Sequence, residues 1–289
     1  MTQIPLLVFY CVLIVVASLV GGLVPLIVRL THSRVETGVS FVAGFVLGVG
    51  LLHLLPEAAA QIGIESAATW VVVGLLVMFF IERFFAFHQH GAPANGADHT
   101  ESSHNVQAAH ELHWTGATIG LTLHSIIAGV GLAASIEAEA ADEHVRWAGM
   151  AMFLVIFLHK PFDALTVGTL MAVGGRPAAW RHVVNGLFAL AVPLGAALVY
   201  AGVSMGSQVQ ATWIGTGLAF VTGTLLCIST SDLLPELRFH RHDRVKLSAA
   251  LLLGVLLAWG VGQLHGDGHG HGHEAGEPME QGIKTHVHD

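Results

Sequence analysis

Two imidazoles and a carboxylate stand within otherwise apolar stretches near the centre of the chain. His159 and Asp163 are four residues apart in the run His159-Lys160-Pro161-Phe162-Asp163. On a helix this spacing stacks the two side chains on one face, one turn apart. The preceding apolar stretch carries His124, in His124-Ser125-Ile126-Ile127-Ala128-Gly129, near mid-helix, where it can face the same point. Two neutral nitrogens and one anionic oxygen suit a borderline divalent ion such as Zn²⁺. A fourth position left to water or a weak ligand keeps such an ion exchangeable. The plainer alternative is a His–Asp hydrogen-bonded pair that only ties helices together. The clustering of three such groups, in a chain with 20 histidines against 12 Lys and Arg, favours metal. Pro161, between two of them, donates no backbone hydrogen bond and frees the Phe157 carbonyl.

Lys160 complicates the site. Beside a bound cation an ammonium is repelled, unless it is neutral or paired with Asp163. Alternatively, it takes the place of a second metal ion. It lies too far from the helix ends to reach water by snorkelling.

The elements that must position these groups are membrane spans. Apolar residues make up 53% of the 289 and charged residues 11%, less than half the share of a soluble protein. A water-exposed surface cannot be built from so few charges. The net charge of −8, with no basic face or arm, excludes a nucleic-acid partner. A spanning helix needs roughly 20 mostly apolar residues. Eight stretches qualify, at about 5–30, 38–59, 68–87, 115–135, 147–173, 181–202, 211–231 and 245–264. The expected fold is therefore all-α, a single polytopic domain with eight transmembrane helices. The first stretch lacks a basic n-region and is too long for a signal-peptide core, so it reads as a retained span. Cys11 and Cys227 lie in apolar runs and read as small core residues, not as a disulfide. In the second stretch Gly44 and Gly48 form a small-xxx-small face for close helix packing.

Basic residues test the count. The first loop holds Arg29 and Arg34, the third starts at Arg83, and the fifth holds Arg176 and Arg181. The seventh holds Arg238, Arg241, Arg244 and Lys246. The even loops and the two ends hold only Arg146 and Lys284. By the positive-inside rule the odd loops are cytoplasmic and both termini face outward. In a cell (inner) membrane that outer side is periplasmic. Glu137, Glu139, Asp142 and Glu143 of the fourth loop then form an acidic external mouth.

An internal echo accompanies this topology. His53-Leu54-Leu55-Pro56-Glu57 ends the second stretch, and Asp232-Leu233-Leu234-Pro235-Glu236 ends the seventh. These helices run in opposite directions, so stretches 1–3 and 6–8 read as an inverted repeat around the fourth and fifth, a pattern of secondary transporters. His53 and Asp232 occupy equivalent points of the two halves. Each either hands an ion toward or away from the centre or caps a helix end. Glu57 and Glu236 read as interfacial. Two further tracts, 88–113 and 265–289, carry histidines among Gly, Ala, Ser and acids. Both read as disordered segments that capture metal weakly on opposite sides of the membrane.

In this order the motifs resemble the ZIP (Zrt/Irt-like) family of divalent-metal transporters over nearly the whole chain. They are Leu54-Leu55-Pro56-Glu57, a His-rich insert after the third span, His124-Ser125 with Gly129, His159-Lys160, Pro193-Leu194-Gly195 and Asp232 to Glu236. The resemblance implies a 3+2+3 helix arrangement, a metal site between the fourth and fifth spans, zinc or iron influx toward the cytoplasm, and a homodimer. Mn²⁺ and Cd²⁺ are further candidate ions. It makes His124, His159 and Asp163 metal-binding positions and Ser125 a second-site contributor. Three departures stand out: Ala128 where most members carry Glu or Asp, Val192 where a subset carries Glu, and Lys160 for an acidic second-site ligand. They imply one principal ion, with Asp163 as its carboxylate. The rival readings are a membrane-embedded metalloenzyme, for which a His-Glu-x-x-His motif is lacking, and a metal sensor or scaffold that binds without transport.

Overall fold

The structure, a computed structural model, describes residues 3–27, 32–85, 103–140, 145, 147–202, 207–233 and 244–266. Side chains are described at 3–23, 35–85, 114–140, 145, 147–201, 209–231 and 245–263. Among the described residues all regular structure is helical, and eight helices are long and apolar enough to cross a bilayer. The first to eighth spans are Gln3–Leu23, Val35–Ile62, Ile64–Phe85, Trp114–Glu139, Met150–Val173, Ala178–Ala201, Val209–Ser231 and Val245–Gln263. All eight expected stretches are present.

Apolar residues cover both sides of these helices, as lipid contact requires. On the first span Leu7, Tyr10 and Ile14 are buried, while Val8, Val12 and Val16, four apart, are about half exposed. The eighth span likewise turns Leu252, Leu253, Leu256 and Leu257 outward. The interior is filled by residues such as Phe45, Leu132, Met152 and Leu225, with the Tyr10 ring stacked on Phe153 at 4.3 Å.

Four helix pairs dominate the packing: second with eighth, third with seventh, first with fifth and fourth with sixth. Lipid tails are as apolar as leucine, so helix association rests on close approach of small residues. A Cβ on Gly44 would overlap the Leu251 carbonyl, and one on Gly254 the Phe41 carbonyl. Gly74 meets the Phe220 carbonyl in the same way, and Gly223 meets Val71. Gly129 lies on Val192, Gly195 on Ile126, and Gly21 on Pro161. The Gly44 and Gly48 face is thus a packing face, with Gly48 against Ala258 of the eighth span.

Three helix irregularities follow from proline and glycine. Ahead of Pro56 the second span widens into a π-turn at Gly50–Leu54, where the Leu55 N–H reaches the Gly50 carbonyl. The seventh span does the same at Ser229–Leu233, ahead of Pro235. A proline has no N–H for the carbonyl four residues back, and the neighbouring hydrogen bonds re-register. The sixth span breaks at Leu190 between helices Ala178–Ala189 and Ala191–Gly202, just before Pro193. The fourth loop is clamped where the Gly149 N–H and the Ser135 hydroxyl donate to the Glu139 carboxylate, at 2.8 and 3.1 Å. Gly149 adopts φ +72°, which suits glycine.

The helix carrying the fourth span starts at Ser103 and takes in the end of the His-rich insert. The side chains of His104, His110 and His113 lie outside the described residues. So do His88, His90, His99, Asp142, Glu143, Pro235, Glu236 and the tail beyond Gly266.

Backbone contact at glycine predicts a sharp contrast between two small substitutions. Gly74→Ala drives a methyl group into the Phe220 backbone and lowers stability by about 1–3 kcal/mol. Gly186→Ala, with nothing within 4 Å, leaves it unchanged or slightly raised. Thermal unfolding of the two purified proteins in detergent measures the difference.

Candidate metal site

The fourth and fifth spans bring His124, His159 and Asp163 together, with one ligand atom of each within 4.8 Å of the others. The two Nε2 atoms are 3.4 Å apart, and His159 Nε2 lies 3.9 Å from Asp163 Oδ2. Donors of a tetrahedral zinc ion, each about 2.0–2.1 Å from the metal, are spaced about 3.4 Å apart. The imidazole pair already has this spacing, and the carboxylate is within a small rotation of it.

Local helix geometry sets the tautomer. His159 Nδ1 donates to the Val155 carbonyl, one turn back, at 2.6 Å. In the neutral ring Nε2 is then a bare lone pair facing His124 and Asp163. His124 Nδ1 and Asp163 Oδ2 are buried without a hydrogen-bond partner. Buried polar atoms left unmet are costly, and a cation among these three residues relieves the carboxylate directly. The fifth span stays helical through Pro161, whose backbone packs on Gly21 of the first span.

Lys160 is fully buried and points elsewhere. Its Nζ donates to Ser125 Oγ at 2.5 Å and sits 3.5 Å from the centroid of the Phe188 ring. Ser125 in turn donates to the Leu121 carbonyl at 2.7 Å. The hydroxyl therefore serves the ammonium as acceptor, and the aromatic face supplies the rest of its partnership. Ala128 and Val192 are buried in the apolar core.

Two expected participants stand apart from this cluster. His53 lies in the π-turn of the second span, where its Nε2–H donates to the Ala258 carbonyl at 2.7 Å and its ring packs on Gly262. That contact ties the second span to the eighth. Asp232 lies in the π-turn of the seventh span, with its side chain outside the described residues. Sequence reasoning missed Val155 and Phe188. The first was within reach, because a helical histidine commonly finds the carbonyl four residues back. The second, 28 positions from Lys160 on another span, left no local signal.

An eight-span bundle with two imidazoles and a carboxylate converging inside it defines a polytopic membrane protein whose interior holds three side chains that could ligate a metal ion. A family model described as ZIP zinc transporter matches residues 5–119 and 115–262. The chain belongs to the ZIP zinc transporter family. It is similar to zinc transporter ZIP9-B of Xenopus laevis, 25% identical over 86% of this chain and 95% of that protein. Zinc transporter 3 of Arabidopsis thaliana is 24% identical over 83% of this chain and 79% of its own length.

The geometry predicts that His159→Ala and Asp163→Ala each weaken zinc binding by more than the roughly 10–100-fold that loss of an outer partner costs. Competition titration against a chelator measures this, with segments 92–108 and 267–289 deleted from parent and variants alike. Parent-like affinity in both variants would place the metal elsewhere.

Proposed function

We propose that the chain carries divalent transition-metal ions, zinc first, across the cell (inner) membrane toward the cytoplasm, by way of His124, His159 and Asp163. The convergence of these three donors inside the bilayer carries the reading. Ionisable groups there are expensive and mark ion paths, and the two relatives described above are both named zinc transporters. Fe²⁺, Mn²⁺ and Cd²⁺ meet the same donors and compete. The basic residues of the odd-numbered loops support termini on the outer side, and the family resemblance supports a homodimer.

A 3+2+3 inverted repeat is supported by the packing. Exchanging first with sixth, second with seventh, third with eighth and fourth with fifth turns the second–eighth pair into the seventh–third pair. The same exchange turns the first–fifth pair into the sixth–fourth pair. The two π-turns exchange as well, and with them His53 and Asp232. His53 serves as a helix tie, and Asp232 stands where an ion leaves toward the seventh loop.

The site holds a single ion. Ala128 and Val192 bring no ligand, and the Lys160 ammonium, held by Ser125 and Phe188, fills the place a second cation would take. Asp163 supplies the one carboxylate.

Zinc flux into proteoliposomes tests the proposal, with Fe²⁺, Mn²⁺ and Cd²⁺ compared in parallel. The parent protein moves zinc, and His159→Ala and Asp163→Ala do not; equal uptake by parent and variants refutes the route. Ala128→Glu, one turn from His124, is expected to tighten binding about tenfold and to slow turnover. Unchanged affinity there would mean that position 128 does not face the ion.

A further inference from the structure

Away from the metal, the first, fifth and sixth spans surround a cavity of about 110 Å³ at the end of the bundle where Arg181 stands. Gly22, Gly168, Thr169, Arg181, His182 and Asn185 line it. Its polar groups are unmet in both senses. Asn185 is only 6% exposed, and its Oδ1 has no hydrogen-bond partner. Arg181 Nε is buried without one as well. The Thr169 hydroxyl, by contrast, is engaged with the Leu165 carbonyl at 2.8 Å. A carbonyl oxygen asks for a donor and a guanidinium for an anion, so a ligand that satisfies this cavity brings both. The helix Ala178–Ala189 begins beside it, and its N-cap Pro177 offers no side chain to the first amides. The positive end of a helix dipole therefore lies about one turn before Arg181.

The surroundings give the depth. Arg176 lies 5.2 Å from the Trp114 ring centroid, and Trp180 is half exposed on the first turn of the sixth span. Tryptophan with arginine at helix ends marks the level of lipid head groups. Beyond Arg181, the sixth span turns Val183, Leu187, Leu190 and Leu194 outward, each half exposed or more. Val183 and Leu187 stand two residues on from Arg181 and Asn185, so this apolar face is turned to lipid on the other side of the helix from the cavity.

We propose that this cavity binds the head group of an anionic glycerophospholipid, with the phosphate on Arg181 and the helix start and a head-group hydroxyl on Asn185. The acyl chains extend into the surrounding bilayer. A phosphate bearing a hydrogen-bond donor is the chemistry required. Inorganic hydrogenphosphate shares it, but the level marked by Trp114, Arg176 and Trp180 is where a lipid presents its phosphate. The head group bridges spans that hold the metal site: Gly22 follows the Gly21 that packs on Pro161, and Asn185 is one turn from the Phe188 that covers Lys160. Bound lipid therefore braces the first, fifth and sixth spans around the site.

Full-length protein in mild detergent tests the proposal through native mass spectra and thermal unfolding, with phosphatidylglycerol, phosphatidylcholine or inorganic phosphate added. The parent retains one phosphatidylglycerol in preference to phosphatidylcholine, and its unfolding midpoint rises. Arg181→Gln and Asn185→Leu each reduce that retention about tenfold, the loss of one charge-assisted or buried hydrogen bond. Zinc binding by Arg181→Gln is unchanged. Arg181 is partly exposed, so Arg181→Gln keeps the test readable should Asn185→Leu not fold. Three outcomes overturn the proposal: retention in the variants equal to the parent, a midpoint rise with inorganic phosphate as large as with the lipid, or no rise with either. The second transfers the site to a free anion, and the third leaves a cavity that holds water only.

Discussion

Contact between helix backbones, made possible by glycine, is the constraint on which this structure depends. In lipid no hydrophobic force draws apolar helices together, so their register is set where carbonyls of one helix enter the space a Cβ would fill on the next. The contacts are reciprocal: Gly44 and Gly254 join the second and eighth spans, Gly74 and Gly223 the third and seventh, Gly129 and Gly195 the fourth and sixth. The last pair bears most directly on the chemistry. It locks the fourth span, one turn past His124, to the broken sixth span, while Gly21 seats Pro161 between His159 and Asp163. Donor positions in the middle of the bilayer are thus fixed by residues with no side chain of their own.

Within that frame the polar groups are satisfied unevenly, and the unevenness marks where an ion belongs. Lys160, the most deeply buried charge-bearing residue of the spans, has a hydroxyl and an aromatic face. His159 has its Nδ1 proton placed on a carbonyl of its own helix. His53 donates to the Ala258 carbonyl of the eighth span. Around the fifth span, unmet atoms remain both where His124, His159 and Asp163 meet and at the cavity beside Arg181 and Asn185. A bilayer interior does not tolerate such groups at random, and of these places only the first offers three ligand atoms to one point among the described residues.

Much of this was legible in the sequence, for identifiable reasons. Helix periodicity is local, so the placement of Asp163 one turn after His159 followed from counting. The length of apolar runs and the alternation of basic loops yielded all eight spans. The π-turns had a signal too, in Pro56 and Pro235, although the shifted hydrogen bonds could not be assigned without coordinates. What stayed hidden depends on residues far apart in the chain. Ala258, which receives the His53 hydrogen bond, is 205 positions away. Phe188 beneath Lys160 comes from another span, and the start of the fourth helix at Ser103 lies in a polar segment that resembles a loop by composition. Among the fourth-loop acids, the bond of Glu139 to the Gly149 N–H also left no local signal.

The three departures from the family pattern act in one electrostatic direction. With Ala128 and Val192 in place of carboxylates, Asp163 is the one acidic side chain among the clustered ligands. Counting Asp163 as carboxylate and Lys160 as ammonium, the empty site is close to neutral, which lowers the cost of keeping it inside a low-dielectric medium. On the proposed route a divalent ion would enter without the surplus of negative charge that would trap it, and the nearby ammonium would weaken its hold further. Ser125 and the Phe188 face hold that ammonium, so on the proposed reading its repulsion loosens the ion from a fixed place. A transported ion must leave as readily as it binds, and a site built this way favours exchange over retention.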